Sequence, residues 1–380
     1  LVQHNLCNDS ERDFIKIELV AAKNFNLLVT FSDNRQLLVK QERHNEEGKA
    51  AGELLREWLL QEFLKRVSQV TYLRSFLPEI LHFDRENSII VLSYLNDYRD
   101  LMDFYTKENH FPKEIAAAIG TLLATIHRET FNRQDYQDLF SKNLNNSTDE
   151  QVNKLIHTLE RIKPEIFGLV PAEGLKFFVL YQRYDSLGQA ISKLSTTFKP
   201  CCLTHNDLKL NNILLYNDWE QLVSQAEPSS KGIVRMIDWE RSSWGEPAFD
   251  LGTIIGSYLQ MWLNSLLVSK AVTIEESLRL ATTPLDKIQP SIAALTSAYL
   301  EYFPEIVNYY PDFIGRAVQY SGLALIEAIL SIIQYQKSFG NMGICMLQVA
   351  KTLLCRPEES IPTVFGTQAA ELTYKSYSCT

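Results

Sequence analysis

The sequence predicts an α+β fold in two parts. A small antiparallel sheet with one helix occupies residues 1–95, and a larger, mostly helical lobe occupies residues 96–380. Three observations predict it. Residues 14–41 hold three short apolar runs parted by turn chemistry. Residues 50–67 are rich in Ala, Leu, Glu, Gln and Lys, with no Gly after Gly52 and no Pro. Beyond residue 250 the apolar spacing is helical.

The elements follow in order. Phe14–Val20 reads as a strand, and Ala21–Asn26 as a turn without glycine. Leu27–Phe31 is a second strand, Ser32-Asp33-Asn34-Arg35 a turn, and Gln36–Gln41 a third strand with Lys40 near its end. On the 50–67 helix, Glu57 shares a face with Leu54, Leu60 and Leu64, so it borders the core; Glu53 and Glu62 are the other acids in reach. Strands over 78–83 and 88–95 are joined by Asp84-Arg85-Glu86-Asn87. Helices are expected over 112–129, ending in His127-Arg128, and over 184–194. A polar loop over 143–148 precedes a helix from about Asp149. Residues 217–231 form an insertion, read as an extended hairpin or a short helix. Further helices are expected over 251–270, 288–302, 313–338 and 342–354, and an extended tail after Pro357. Leu251–Val268 has no charged residue and reaches bilayer-spanning length, but Gly, Thr, Ser, Gln and Asn interrupt it, so it reads as a buried core helix.

One stretch carries chemistry. His205-Asn206-Asp207-Leu208-Lys209-Leu210-Asn211-Asn212 has the pattern His-x-Asp-x-x-x-x-Asn between apolar flanks, the spacing of the phosphoryl-transfer loop of protein kinases and their relatives. Some two dozen residues on, the apolar run Ile233–Ile237 ends in Asp238. Phosphoryl transfer is mostly positioning and charge neutralisation. Asp207 is placed to orient the attacking hydroxyl as base. Asp238 and the amide oxygen of Asn212 are hard oxygen ligands suited to Mg2+ on nucleotide phosphates. Lys209 supplies positive charge beside the moving phosphoryl group. The bland reading is a polar surface loop between two core strands, and the ordered second strand with its acid argues against it.

These stretches resemble the aminoglycoside phosphotransferase and choline kinase-like branch of the protein-kinase-like fold. That branch shows His-Gly-Asp-x-x-x-x-Asn-Ile-Leu, Ile-Asp-Trp-Glu and Gly-Asp-Pro-x-x-Asp-Leu. Here Asn206 replaces the Gly and Glu246 the first Asp of the last motif, while Trp239-Glu240 stands where protein kinases carry Phe-Gly. The resemblance implies a bilobal protein-kinase-like fold with ATP (or GTP) between the lobes. It implies that Lys40 clamps the α- and β-phosphates with Glu57 as its partner, and that the backbones of Ser93 and Leu95 meet the adenine edge. It implies that His205 shapes the loop and that Asp250, in Phe-Asp-Leu-Gly, braces it. Phosphate-covering loops use Gly for close backbone approach; the glycine-free 21–26 turn departs from that, and Lys23 and Asn24 would have to reach phosphates by side chain.

Composition sets the class. With 46% hydrophobic and 22% charged residues the chain is an ordinary globular one, and its net charge of −9 gives no reason to expect nucleic acid or an anionic membrane as partner. The six cysteines form no Cys-x-x-Cys pair, and no basic region precedes an apolar run at the N-terminus, so reduced cysteines and a cytoplasmic protein are expected. The expected reaction is γ-phosphoryl transfer to a small-molecule hydroxyl such as an amino sugar or amino alcohol. Two alternatives stand beside it: a Ser/Thr peptide acceptor in lanthipeptide-type maturation, and a non-catalytic nucleotide-binding pseudokinase module. Acids and bases nearly balance beyond residue 250, so no acidic funnel marks a polycationic acceptor.

Overall fold

The computed structural model describes residues 4, 6–8, 11, 14–20, 22–45, 48, 50–142, 159, 170–224, 232–269 and 271–374. The loop expected over 143–148, the helix from about Asp149 and the 225–231 part of the insertion lie outside the described residues. The chain forms two compact units. The first is Leu1–Asp103 with Gln134–Asn145 and Asn211–Ser242; the second is Phe104–Arg133, Asn146–Leu210 and Ser243–Thr380.

In the first unit five antiparallel strands, β1 (Lys16–Val20), β2 (Phe25–Thr30), β3 (Gln36–Gln41), β4 (Ile80–Asp84) and β5 (Ile89–Ser93), make one sheet in the order β1-β2-β3-β5-β4. Alternation explains the two-sided packing. Val29, Phe31, Leu37 and Val91 form one apolar cluster with Cys7. Ile80, Ile90 and Leu92 form another with Leu54 of helix α1 (Glu53–Arg66). Straight-chain helix formers dominate α1, which has Glu53 in its first turn and Lys65 and Arg66 in its last, matching the helix dipole. Phe63 of α1 meets Tyr136 and Phe140 of helix Gln134–Ser141 edge to face. A second, three-stranded sheet joins Tyr98–Asp100, Ile213–Tyr216 and Val234–Met236. The insertion begins as the short helix Trp219–Ser224.

The second unit is mostly helical. Helix Pro247–Asn264 packs on Phe313–Gln336, which packs on Asn341–Cys355, and Lys113–Thr130 packs on Leu285–Tyr302. These pairs approach through glycine. A Cβ on Gly120 would meet the Leu295 carbonyl oxygen at 2.1 Å, and one on Gly252 would meet Tyr320 Cβ at 2.5 Å. Helix Pro247–Asn264 begins earlier than its apolar run, with Pro247 in its first turn, and it is buried along most of its length, as its interrupted apolarity predicts. Phe313–Gln336 is long and apolar enough to cross a membrane by length and composition, and 56% of its most apolar window is buried inside the fold. The tail expectation is corrected. Residues after Arg356 form the helices Pro357–Phe365 and Ala369–Tyr374, with Ile361, Val364 and Phe365 buried. Pro362, one turn into the first of them, obscures its period.

The sheet plus helix followed by a mostly helical remainder is the α+β architecture that the sequence predicts.

Candidate active site

In the first unit, β3 and α1 carry the central ion pair. Lys40 sits between Asn26 of β2 and Ile90 of β5 in the sheet register, and its side chain is buried. Its Nζ lies 3.8 Å from Glu57 Oε2 and donates a hydrogen bond to Asp238 Oδ1. Burial works against the Lys40 charge, but Glu57 and Asp238 outweigh it and hold the ammonium above its ordinary range. Burial pushes Glu57 up, with Lys40 opposing. The other two acids of α1 go elsewhere: Glu53 takes Lys23, and Glu62 lies 3.0 Å from Lys65.

Asp238 follows strand Val234–Met236 in a left-handed conformation, φ 61° and ψ 54°, where a non-glycine residue is strained. Ile237 N–H donates to the Asn212 carbonyl at 3.0 Å, and Ile213 pairs with Met236, so Asn212 and Asp238 are carried on adjoining strand ends. Their donor set is one carboxylate and one amide oxygen. Among the described residues no three acids, histidines or cysteines converge as a metal cage. One carboxylate with an amide oxygen suits Mg2+, which is commonly held by one or two carboxylates with substrate phosphates and water completing its shell.

Sequence reasoning gave no role to Glu240. It is buried beside Glu53, and Asn24 Nδ2 donates to it at 3.3 Å, while Lys23 Nζ lies 3.6 Å away. Burial first, then the neighbouring Glu53, pushes its carboxyl up to about 7, with Lys23 and Lys40 opposing. Lys23 and Asn24 are therefore engaged with acids, and the glycine-free turn is pinned through its side chains. These partners are 30 and 216 residues apart, so no local pattern could have announced them. At the end of β5, Ser93 N–H donates to the Glu79 carbonyl at 2.9 Å and the Leu95 carbonyl accepts from Tyr98 N–H at 3.0 Å.

In the second unit the loop after strand Cys202–Thr204 is built on Asp250. Its Oδ2 accepts from His205 N–H at 2.7 Å and its Oδ1 from Asn206 N–H at 2.9 Å. His127 Nε2 lies 3.2 Å from Asp250 Oδ2, and its Nδ1 lies 2.9 Å from the Tyr299 hydroxyl. A carboxylate only accepts, so Nε2–H is the donor to Asp250, and Nδ1 faces the Tyr299 hydroxyl. His127 thus acts through Asp250. Asp207 N–H donates to His205 Nδ1 at 3.3 Å, and Asp207 Oδ1 lies 2.6 Å from Lys209 Nζ.

The two departures from the family motifs have physical reasons. Asn206 has φ 62°, a conformation that glycine takes freely and Asn tolerates best among the rest. Its side chain then donates to Ser243 Oγ at 2.7 Å and accepts from Thr204 Oγ1 at 2.9 Å. Glu246 is fully buried, hydrogen-bonded by Arg316 Nε and Nη2 and, at 3.1 Å, by the Tyr320 hydroxyl. Burial pushes its carboxyl up against the pull of Arg316.

Residues 104–259, which include this loop, match a known family. The match is to choline/ethanolamine kinase. A 4-hydroxytryptamine kinase from Psilocybe cyanescens is 24% identical over 193 residues, covering 48% of this chain and 47% of that protein. A choline/ethanolamine kinase from Homo sapiens is 29% identical over 100 residues, covering 26% of this chain and 23% of that one. The chain thus spans less than half the length of the curated relatives it matches. Among solved structures, choline kinase LicA from Streptococcus pneumoniae is 18% identical over 90% of this chain and 94% of that one, with a TM-score of 0.43.

Proposed function

We propose that the protein is a phosphotransferase that moves the γ-phosphoryl group of ATP (or GTP) to a hydroxyl of a small molecule. The observation that carries this reading is the support of the His205–Asp207 segment. Both oxygens of buried Asp250 hold the backbone N–H groups of His205 and Asn206, directly before Asp207, and this support favours the reading. In the proposed roles Asp207 orients the acceptor hydroxyl and takes its proton, and Lys209 balances charge on the transferring group. Lys40, held by Glu57, contacts the α- and β-phosphates. The backbones of Ser93 and Leu95 meet the adenine edge. Asn212 and Asp238 would hold Mg2+, which would supply neutralising charge to the phosphates.

The acceptor class is proposed from the relatives' names. Choline, ethanolamine and 4-hydroxytryptamine all combine a hydroxyl with an amine or quaternary ammonium group, and such compounds head the candidates. The test is ADP release by purified protein with Mg-ATP. The panel sets amino alcohols, hydroxyindole amines and amino sugars beside Ser/Thr peptides. Turnover with a small amine-bearing alcohol, reduced about 10²–10⁴-fold by Asp207→Asn, is expected. Full activity in that variant would remove Asp207 as base, and turnover with peptides alone would move the acceptor to another class.

A further inference from the structure

The first unit has an unusual edge. β1 is the outermost strand of its sheet, and all five of its residues are exposed. Ile17 is 60% exposed, Leu19 70% and Val20 38%, with Phe14 just before the strand at 72%. Edge strands are normally short, charged or covered, because their unpaired backbone groups are a template for another strand. Here the apolar rows of the sheet run outward into solvent. Ile17 continues the row of buried Val29 and Leu37, and Leu19 continues that of Leu27 and Val39.

We propose that this edge pairs with β1 of a second copy of the chain, antiparallel and centred on Ile17, to make one continuous ten-stranded sheet. The sequence of the strand selects both occupant and register. Centred on Ile17, Lys16 of each copy faces Glu18 of the other, and Ile15 faces Leu19. Both charge pairs are attractive and every other pair is apolar. A shift by one residue puts apolar side chains opposite charges on both faces. Centring on Lys16 sets Lys16 against Lys16, and centring on Glu18 sets Glu18 against Glu18; like charges directly opposite destabilise a pair. Only the Ile17 register satisfies both faces. A twofold axis through one residue is what a symmetric homodimer requires. Within one copy Lys16 and Glu18 lie 3.0 Å apart, on the same face and open to solvent, so both are available to exchange partners.

The test is sedimentation of the purified chain over a concentration series, with charge variants. A reversible dimer is expected. Glu18→Lys and Lys16→Glu should each weaken it at least about fivefold, and the double variant Lys16→Glu/Glu18→Lys should restore it, because the facing pairs regain opposite charge. Ile17→Cys provides a readout of register. Facing Cα atoms in an antiparallel pair are about 4.5–5.5 Å apart, inside the span of a disulfide. Mild oxidation should therefore cross-link Ile17→Cys far faster than Lys16→Cys or Glu18→Cys. All these positions are exposed, so the variants are expected to fold. A monomer at the highest soluble concentration overturns the proposal. So does a dimer indifferent to the charge changes, or one cross-linked equally well at all three positions.

Discussion

At the scale of single residues, the Lys40–Glu57 pair is the most exposed to test, because both partners are buried. Removing one member of a buried pair leaves the other charge without compensation, which costs about 3–5 kcal/mol, whereas replacing both by apolar residues is often neutral. Lys40→Ala is therefore expected to lower stability by that amount in denaturant titration. Lys40→Met/Glu57→Leu should recover most of it without recovering phosphoryl transfer. If Lys40→Ala proved as stable as the parent, the pair would not be a structural brace. Asn206 gives a subtler case. Asn206→Ala loses two side-chain hydrogen bonds and places an L-residue with poor left-handed tolerance at φ 62°. Asn206→Gly loses the same bonds without the backbone strain. The alanine variant should be less stable than the glycine variant by about 1–2 kcal/mol. Equal losses would show that the hydrogen bonds alone hold the loop.

At the scale of elements, the glycines of the helical unit give opposite predictions for one chemical change. Gly120 lets helix Lys113–Thr130 approach Leu285–Tyr302 so closely that an added methyl would meet backbone, which cannot swing aside. Gly120→Ala should cost about 1–3 kcal/mol or more. Gly188, inside helix Asp185–Thr196, has nothing within 4 Å of the same added atom. Gly188→Ala should stabilise by about 0.5–1 kcal/mol, as helix propensity dictates. Thermal unfolding of the two variants decides both, and destabilisation of equal size would show that helix approach does not govern the difference. Such contrasts also mark what a sequence discloses. Strand alternation and helical period are local, so β1 to β5, α1 and the long helices were legible. So was the facing of Glu57, from its spacing to Leu54, Leu60 and Leu64. The tail helix Pro357–Phe365 was not, because Pro362 breaks the pattern its buried residues would make. Nor was the Glu240 cluster, or the Arg316 partner of Glu246 some 70 residues away, because those contacts exist only once the chain has folded.

At the scale of the whole molecule, ligand binding and chemistry are expected to separate by unit. Lys40, Asn212 and Asp238, proposed to hold nucleotide and Mg2+, belong to the first unit, and Asp207, proposed as base, belongs to the second. A ligand that binds only the folded state at a hundred times its Kd stabilises by about 2.7 kcal/mol, which raises Tm by about 5–10 °C for a domain of 150–250 residues. Mg-ATP should produce a shift of this order, and chelating Mg2+ with EDTA should remove most of it. Asp238→Ala should make the remaining shift indifferent to Mg2+. Asp207→Asn should keep the full Mg-dependent shift while losing turnover, because the carboxylate acts on the acceptor rather than on the nucleotide. A shift of equal size with Mg2+ and with EDTA would remove Asn212 and Asp238 as metal ligands. Loss of the shift in Asp207→Asn would mean that the loop of the second unit also holds the nucleotide, and the division between binding and base would have to be redrawn.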